Sequence, residues 1–405
     1  MTVRTLALTE YQPATFSSTE ITDAEGESIW HQYHEKVGKV HVEFPSPITN
    51  HRWRLNSQGW VGYFPVTPEL GLRIQPRVPL RNLFGMLDYA YRLRDIHFLQ
   101  GLIDCESLEG FFERLVSVVA GRVSLRIRKG LHREYVPLSD RLHVVRGRVD
   151  LNSQLQQPWA VSVACDFDEH TADLEDNQIL AWTLWRATQT GLCGERVLHS
   201  ARKALRALLS VVSLRTKTPR DCLLRTYHRL NEDYRPLHAL CRLILENVGP
   251  SHEIGQHKML PFIVNMSHLF ELFVAEWLSA NLDAEYTCRA QERVKVGDAG
   301  ELDFRIDIVI YDADAGRPLC VIDTKYKTPT SPSQGDIAQA VTYANLKDCA
   351  EAVLVYPKKL DRPIDVRIGR THVRSMTFPI DGDLDHNGKQ FLTELLGRAR
   401  RGGES

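Results

Sequence analysis

The stretch from Glu301 to Tyr343, ELDFRIDIVIYDADAGRPLCVIDTKYKTPTSPSQGDIAQAVTY, constrains this chain more than any other. Its first part has a period of two: Leu302, Phe304, Ile306, Ile308 and Ile310 alternate with Asp303, Arg305 and Asp307. Successive side chains of a strand point to opposite faces, so the aliphatic row takes one face and both aspartates the other. The following YDADAGRP is rich in turn formers and predicts a hairpin connection. A second strand, LCVIDTKYK, sets Leu319, Val321, Asp323 and Lys325 on one face. Downstream, Asp336, Gln339 and Tyr343 fall at i, i+3 and i+7, one face of a helix. Two carboxylates from neighbouring strands and an ammonium two residues along can therefore meet at one spot.

Such a spot suits a hard divalent cation. Mg²⁺ prefers carboxylate and water oxygens and usually takes one or two carboxylates beside a substrate phosphate. Asp307 and Asp323 are the expected ligands, and the carbonyl of Thr324, between the second acid and the lysine, is an expected extra one. A bound ion lowers the pKa of its water and stabilises the charge that builds on a phosphodiester under attack. Lys325 then orients or deprotonates that water, or lies against the pentacovalent phosphate; the sequence leaves these roles open. A D…DxK string alone recurs by chance in charged chains. Here the strand phase of both segments and the helical face behind them strengthen it. The constellation resembles the PD-(D/E)xK nuclease core, with Ile306 standing where that motif has its proline.

At 405 residues the chain is long enough for two or three domains. Its 50 basic and 51 acidic residues balance, which excludes a global polyanion-binding signature and leaves any nucleic-acid role to local patches. Eight scattered cysteines without a CxxC pair argue against a zinc site and a disulfide framework, and for a reducing compartment. The N-terminal MTVRTLALTEYQPATF lacks a basic-then-apolar signal layout, and no apolar run approaches the roughly 20 residues of a membrane span. A cytoplasmic protein is expected.

The expected fold class is α+β multidomain. Residues 1–95 read as a β-rich domain, from the alternation and the Gly and Pro breaks of WRLNSQGWVGYFPVTPELGLRIQPRVPL. Arg73 and Arg77 there face either a partner or solvent. NLFGMLDYAYRL begins a helix, and 96–120 continue helical. Residues 96–258 read as a mainly helical middle region, with helices at 197–212 and 233–248. Between 121 and 150 the balance is basic, from Arg122 to Arg148, which fits either a phosphate-contacting surface or a solvated face. The acidic string DFDEHTADLEDN, 166–177, is expected to open a helix and suit its dipole. Residues 259–405 read as the catalytic domain, with a mixed central sheet flanked by helices. Its amphipathic helix MSHLFELFVAEWLSANL, with Ser267 as the expected N-cap, carries Glu271 and Glu276 on opposite borders of the apolar stripe. Periodicity does not choose between them.

Several segments are similar to the McrC family, the nuclease subunit of McrBC modification-dependent restriction systems. They are VGYFPVTPELGLRIQPRV, NLFGMLDYAY, GLHREYVPLSDRLHVVRGRVD, DEHTADLEDNQIL, LNEDYRPLHALCRLIL, MSHLFELFV, RIDIVI, IDTKYK and DIAQAVTYA, the last four being the most specific. The resemblance implies that Glu271 is the core's first acidic position, and a further metal ligand, in place of Asp303. It implies that Asp307, Asp323 and Lys325 are the metal-binding and catalytic set, supported by Gln339 and Tyr343. It also implies an Mg²⁺-dependent endonuclease acting on modified double-stranded DNA, with a separate McrB-like AAA+ GTPase that the N-terminal domain docks into and stimulates. The chain lacks a GxxxxGK[ST] phosphate loop, as that division of labour requires. Dimerisation on DNA would suit double-strand cleavage. The alternatives are a non-catalytic activator that keeps the nuclease fold as scaffold, and a stand-alone nuclease of another repair or defence pathway.

Overall fold

A computed structural model describes residues 4–35, 38–93, 105, 107–157, 159–249, 252–254, 257–259, 261–297, 301–327 and 329–399. The expected helical continuation over 96–104 lies outside the described residues, as does the basic Gly-containing tail after 399. The fold is α+β, with several sheets and eleven α-helices among the described residues. The chain divides into two compact units: residues 1–111 together with 249–405, and residues 112–248.

In the first unit the N-terminal strands are β1 (Arg4–Thr9), β2 (Ala14–Phe16), β3 (Val40–Glu43), β4 (Trp53–Ser57), β5 (Trp60–Pro65) and β6 (Leu70–Gln75). Helix α1 (Asp23–Ile29) lies between β2 and β3, and α2 (Leu80–Ala90) follows β6. Alternation decides the burial: in β4, Trp53, Leu55 and Ser57 turn inward while Arg54 and Asn56 do not. Sheet β2-β4-β3 and sheet β1-β6-β5 enclose a shared core of Leu8, Phe16, Ile29, Tyr33, Trp53, Phe64 and Leu72, among others. Arg73, expected to face a partner or solvent, pairs with Glu109 at 2.5 Å.

The second unit contains most of α3 (Leu108–Lys129), then β7 (Glu134–Leu142), β8 (Arg148–Val149), α4 (Leu151–Gln156) and β9 (Val163–Thr171). Helices α5 (Glu175–Thr188), α6 (Glu195–Leu209), α7 (Pro219–Leu223) and α8 (Arg235–Asn247) complete it. Strands β7, β9 and β8 form an antiparallel sheet inside the stretch expected to be mainly helical. The acidic string departs from expectation for this reason. Asp166 to Thr171 pair along β7 as part of β9, and only Glu175 and Asp176 occupy the first turn of α5. Nine consecutive ladder partners outweigh the local preference of acidic residues for a helix start.

The C-terminal part of the first unit supplies a short hairpin, β10 (His252–Ile254) with β11 (His257–Met259), and then β12 (Phe262–Asn265). Strand β12 pairs antiparallel with β5 and completes the N-terminal sheet as β1-β6-β5-β12. Gly62 allows the approach: its φ is +128°, and a Cβ there would stand 2.1 Å from the Phe262 carbonyl oxygen. Helix α9 (Met266–Asn281) starts directly after β12. Its N-cap is Asn265, whose side chain accepts from the amides of Ser267 and His268, so the expected Ser267 cap is displaced by two residues. Asn265 is still held as a ladder partner of Trp60, which leaves it the extended backbone that a cap requires.

The remaining elements are β13 (Tyr286–Val296), β14 (Leu302–Asp312), β15 (Pro318–Thr324), α10 (Gln334–Leu346), β16 (Glu351–Tyr356), β17 (Asp365–Ile368), β18 (Thr371–Thr377) and α11 (Leu384–Ala399). They form a six-stranded mixed sheet in the order β13-β14-β15-β16-β18-β17. Strands β13, β14 and β15 are antiparallel, whereas β15, β16 and β18 run parallel. The parallel pair β15 and β16 is joined through α10, as a crossover of this kind demands. Strand β16 reads as continuous burial from Ala352 to Tyr356, as expected of an interior strand. Gly62→Ala should destabilise the protein by at least roughly 1–3 kcal/mol, the range for one strained backbone position. Urea unfolding would show it as a lower midpoint.

Candidate active site

The site lies where β14 and β15 part. Their ladder pairs Val309 with Val321 and Ile308 with Ile322, and that register carried one step further faces Asp307 with Asp323. At that step the strands separate. The Lys325 amide donates to the Val355 carbonyl, so the end of β15 turns to β16. The Thr324 amide, released from the ladder, donates to Asp307 Oδ2 at 2.8 Å, and the Thr324 hydroxyl donates to the same oxygen at 2.9 Å. An aspartate at a fork thus completes the hydrogen bonding that the diverging backbone leaves open.

Lys325 Nζ stands 2.7 Å from Asp323 Oδ2 and donates to Gln339 Oε1 at 2.9 Å. Gln339 Nε2 donates in turn to the Tyr343 hydroxyl at 2.7 Å. The i, i+4 spacing of Gln339 and Tyr343 on α10 makes this possible. Asp336, on the same helical face, is spent differently: it closes a capping box with Ser333 and pairs with Lys327 at 2.6 Å. Glu271 reaches the site from α9, and its charge is felt by both aspartates. Glu276, on the other border of that helix's apolar stripe, is bound to Arg92 at 2.6 Å. Asp303 lies outside the site, exposed and 3.7 Å from Arg293.

The electrostatics are unbalanced toward negative charge. Burial pushes the Asp307 carboxyl up to about 7, with the Glu271 and Asp323 charges adding to the rise and the Thr324 donors offsetting part of it. Burial also raises Asp323, which is 1% exposed; Lys325 pulls it back, and Asp336 and Glu271 push it up again. For Lys325, burial works against the charge, but Asp323 and Asp307 outweigh it and hold the ammonium above its ordinary value. With every carboxyl ionised, three carboxylates facing one ammonium would leave a formal excess of two negative charges. Two buried oxygens there, Glu271 Oε1 and Asp323 Oδ2, receive no hydrogen bond; the Lys325 contact to the latter is an ion pair without aligned geometry. The unpartnered Glu271 oxygen beside an excess of carboxylates fits a divalent cation. The carboxylate oxygens of Glu271, Asp307 and Asp323 are not drawn within 4.8 Å of one another; among the described residues only His132, Glu134 and His228 are grouped so closely.

The N-terminal part of the chain is tied to this site through contacts that sequence reasoning did not reach. Tyr326, next to Lys325 and turned the other way, donates its hydroxyl to buried Glu10 Oε1 at 2.7 Å. The Arg77 amide donates to that oxygen at 2.9 Å, and the Tyr11 hydroxyl donates to the Tyr326 carbonyl at 2.8 Å. The Met266 amide donates to the Gly59 carbonyl, tying the first residue of α9 to the β4–β5 turn. The partner of this tyrosine lies more than three hundred positions away, beyond the reach of any local pattern. The raised carboxyls have a consequence for folding. A native pKa near 7 for Asp307 means the folded state holds a proton that the unfolded chain has already lost, so stability falls as pH rises from about 4 through 7. Without divalent ions, the melting temperature should drop between pH 5 and 7, and Asp307→Asn should shrink that drop, leaving the Asp323 share; an unchanged slope would contradict the assignment.

A sequence model of the family described as "McrBC 5-methylcytosine restriction system component" matches residues 55–357. The Escherichia coli (strain K12) "Type IV methyl-directed restriction enzyme EcoKMcrBC" is 23% identical over 267 residues, covering 62% of this chain and 74% of that protein. A solved chain from a "half-complex from tetradecameric assembly of Thermococcus gammatolerans McrB AAA+ hexamers with bound McrC" superposes with a TM-score of 0.54. That match covers 97% of this chain and 100% of the other at 16% identity, a likeness of fold. The family match spans well over half of the chain, from the first sheet through the fork of β14 and β15, so this protein belongs to the McrBC 5-methylcytosine restriction system component family.

Proposed function

We propose that this chain is the DNA endonuclease subunit of a GTP-driven, modification-dependent restriction complex of the 5-methylcytosine type. Its nuclease domain is of the PD-(D/E)xK kind, and its partner is an McrB-like AAA+ GTPase whose hydrolysis it stimulates. The observation that carries the reading is the fork itself: half-buried Asp307 and buried Asp323 on adjacent strands, Lys325 two residues on, and Glu271 and Gln339 brought in from two helices. The family membership and the McrB assembly of the Thermococcus relative support the partner.

Asp307, Asp323, Glu271 and the Thr324 carbonyl would hold Mg²⁺, the ion expected for a carboxylate-rich phosphodiester site. When bound, it supplies Lewis-acid stabilisation of phosphate charge and lowers the pKa of its water. Thr324 fixes the Asp307 carboxylate through two donors, so that ligand is oriented in advance. Lys325, kept cationic by its acidic neighbours, is matched to the charge of a pentacovalent phosphate and to orienting a water nucleophile. That favours an electrostatic role for the lysine over proton abstraction. Gln339 aims the lysine and Tyr343 aims Gln339. Two such sites, one on each strand, would make a double-strand break, which suits dimerisation on DNA.

Asp323→Ala should abolish cleavage of modified double-stranded DNA while the partner's GTPase stimulation stays intact. Cleavage that survives in this variant would remove the fork from the mechanism. Loss of stimulation alone would point to a non-catalytic activator. Glu271→Gln should fall with Asp323→Ala, whereas Glu276→Gln should cut DNA normally. Gln339→Ala should lose about 10–100-fold in cleavage rate, the usual cost of an orienting neighbour.

A further inference from the structure

Residues 112–248 contain a second cluster of ligand-type side chains. His132 precedes β7 and Glu134 opens it, two residues apart and so on one side of an extended backbone. His228 comes from the segment between α7 and α8. His132 Nε2 lies 3.6 Å from Glu134 Oε1, and His228 Nε2 lies 3.8 Å from the same oxygen. All three ligand atoms fall within 4.8 Å of one another.

The state of His132 separates this cluster from an ordinary surface grouping. The ring is 4% exposed, and its Nδ1 faces the buried carboxylate Oδ2 of Asp176 at 3.2 Å. Asp176 is itself fixed by Asn231 Nδ2 at 3.0 Å and by Arg225 at 3.5 Å. A carboxylate only accepts, so the contact with Asp176 calls for a proton on Nδ1; the neutral imidazole then presents a lone pair on Nε2, and that buried atom has no hydrogen-bond partner. A carboxylate behind one ring nitrogen and an open lone pair on the other is how proteins orient a metal-binding histidine.

We propose that His132, Glu134 and His228 bind a borderline divalent transition metal, with Zn²⁺ the best match. Two imidazole nitrogens and one carboxylate oxygen suit that ion and leave a fourth position open. Ligands about 2.0–2.2 Å from a tetrahedral ion stand roughly 3.3–3.6 Å apart, so the two gaps to Glu134, 3.6 and 3.8 Å, need close only slightly, and the two imidazole nitrogens, within 4.8 Å of each other, draw together as His228 moves. The half-exposed His228 ring makes the one adjustment. Its Nδ1 now accepts the Leu230 amide proton at 3.2 Å, and ligation through Nε2 moves the ring proton to Nδ1 in exchange for that long bond. The missing CxxC pairs bear only on thiolate zinc sites. Such an ion would tie the start of β7 to the segment that leads into α8.

The test is equilibrium dialysis of the full-length protein against Zn²⁺ with elemental analysis, in an Asp323→Ala background so that the carboxylate site does not take the ion. One equivalent should be retained. His228→Ala and Glu134→Gln, both at half-exposed positions and checked for fold by circular dichroism, should each weaken retention at least about tenfold. Co²⁺ loaded instead should give a visible four-coordinate spectrum that His228→Ala abolishes. No uptake, or equal uptake and an equal spectrum in the His228→Ala protein, would overturn the proposal.

Discussion

Like charges held close in a dry place cannot all persist, and the fork between β14 and β15 is built on that conflict. Burial and neighbouring carboxylates lift both Asp307 and Asp323, while Lys325 relieves part of the pressure from one side. The fold accepts this cost because the surroundings over-determine the geometry. Thr324 grips Asp307 with two donors, α10 supplies an acceptor for the ammonium, and the aliphatic residues Ile308, Val309, Val321 and Ile322 leave the strands no other register. That excess of negative charge is what the proposed role as a cation site rests on.

The same fork draws the first unit together. Strand β12 closes the N-terminal sheet and delivers α9 at a fixed angle, with Phe273 and Trp277 packed against Phe378 on one side and Tyr89 against Phe273 on the other. Glu271 is therefore positioned by residues from both ends of the sequence. The Glu10–Tyr326 bond does the same for the lysine's neighbour. The acids, the lysine and the glutamine occupy separate elements, but the sheet and its two helices leave each little freedom.

Much of the site was legible because its signals are local. Period-two alternation places Asp307 and Asp323, and helical spacing places Gln339 beside Tyr343, without any knowledge of the rest. Glu271 was different: periodicity left it equal to Glu276, and only family resemblance favoured it, whereas the structure distinguishes the two by the Arg92 pair. Thr324 was read for its carbonyl, yet its amide and hydroxyl do the visible work, since a ladder that ends there could not be foreseen from one strand. The strand β9 was hidden because its acidic residues resemble a helix start and its partner lies elsewhere. His132 and Glu134 stand two residues apart in the sequence, but His228 meets them only through tertiary structure.

The pairing of β5 with β12 also sets an order of events at the ribosome. About 200 residues separate the two strands, so at 5–20 residues per second the open edge of β5 waits roughly 10–40 s for its neighbour. Throughout that interval an unpaired strand edge is presented to whatever else is in reach, the condition under which edges find wrong partners. Residues 112–248 can collapse meanwhile as a unit of their own. A C-terminal fragment beginning at residue 259 would meet the mirror-image problem, carrying β12 with nothing to zip against and α9 without its anchor at Gly59.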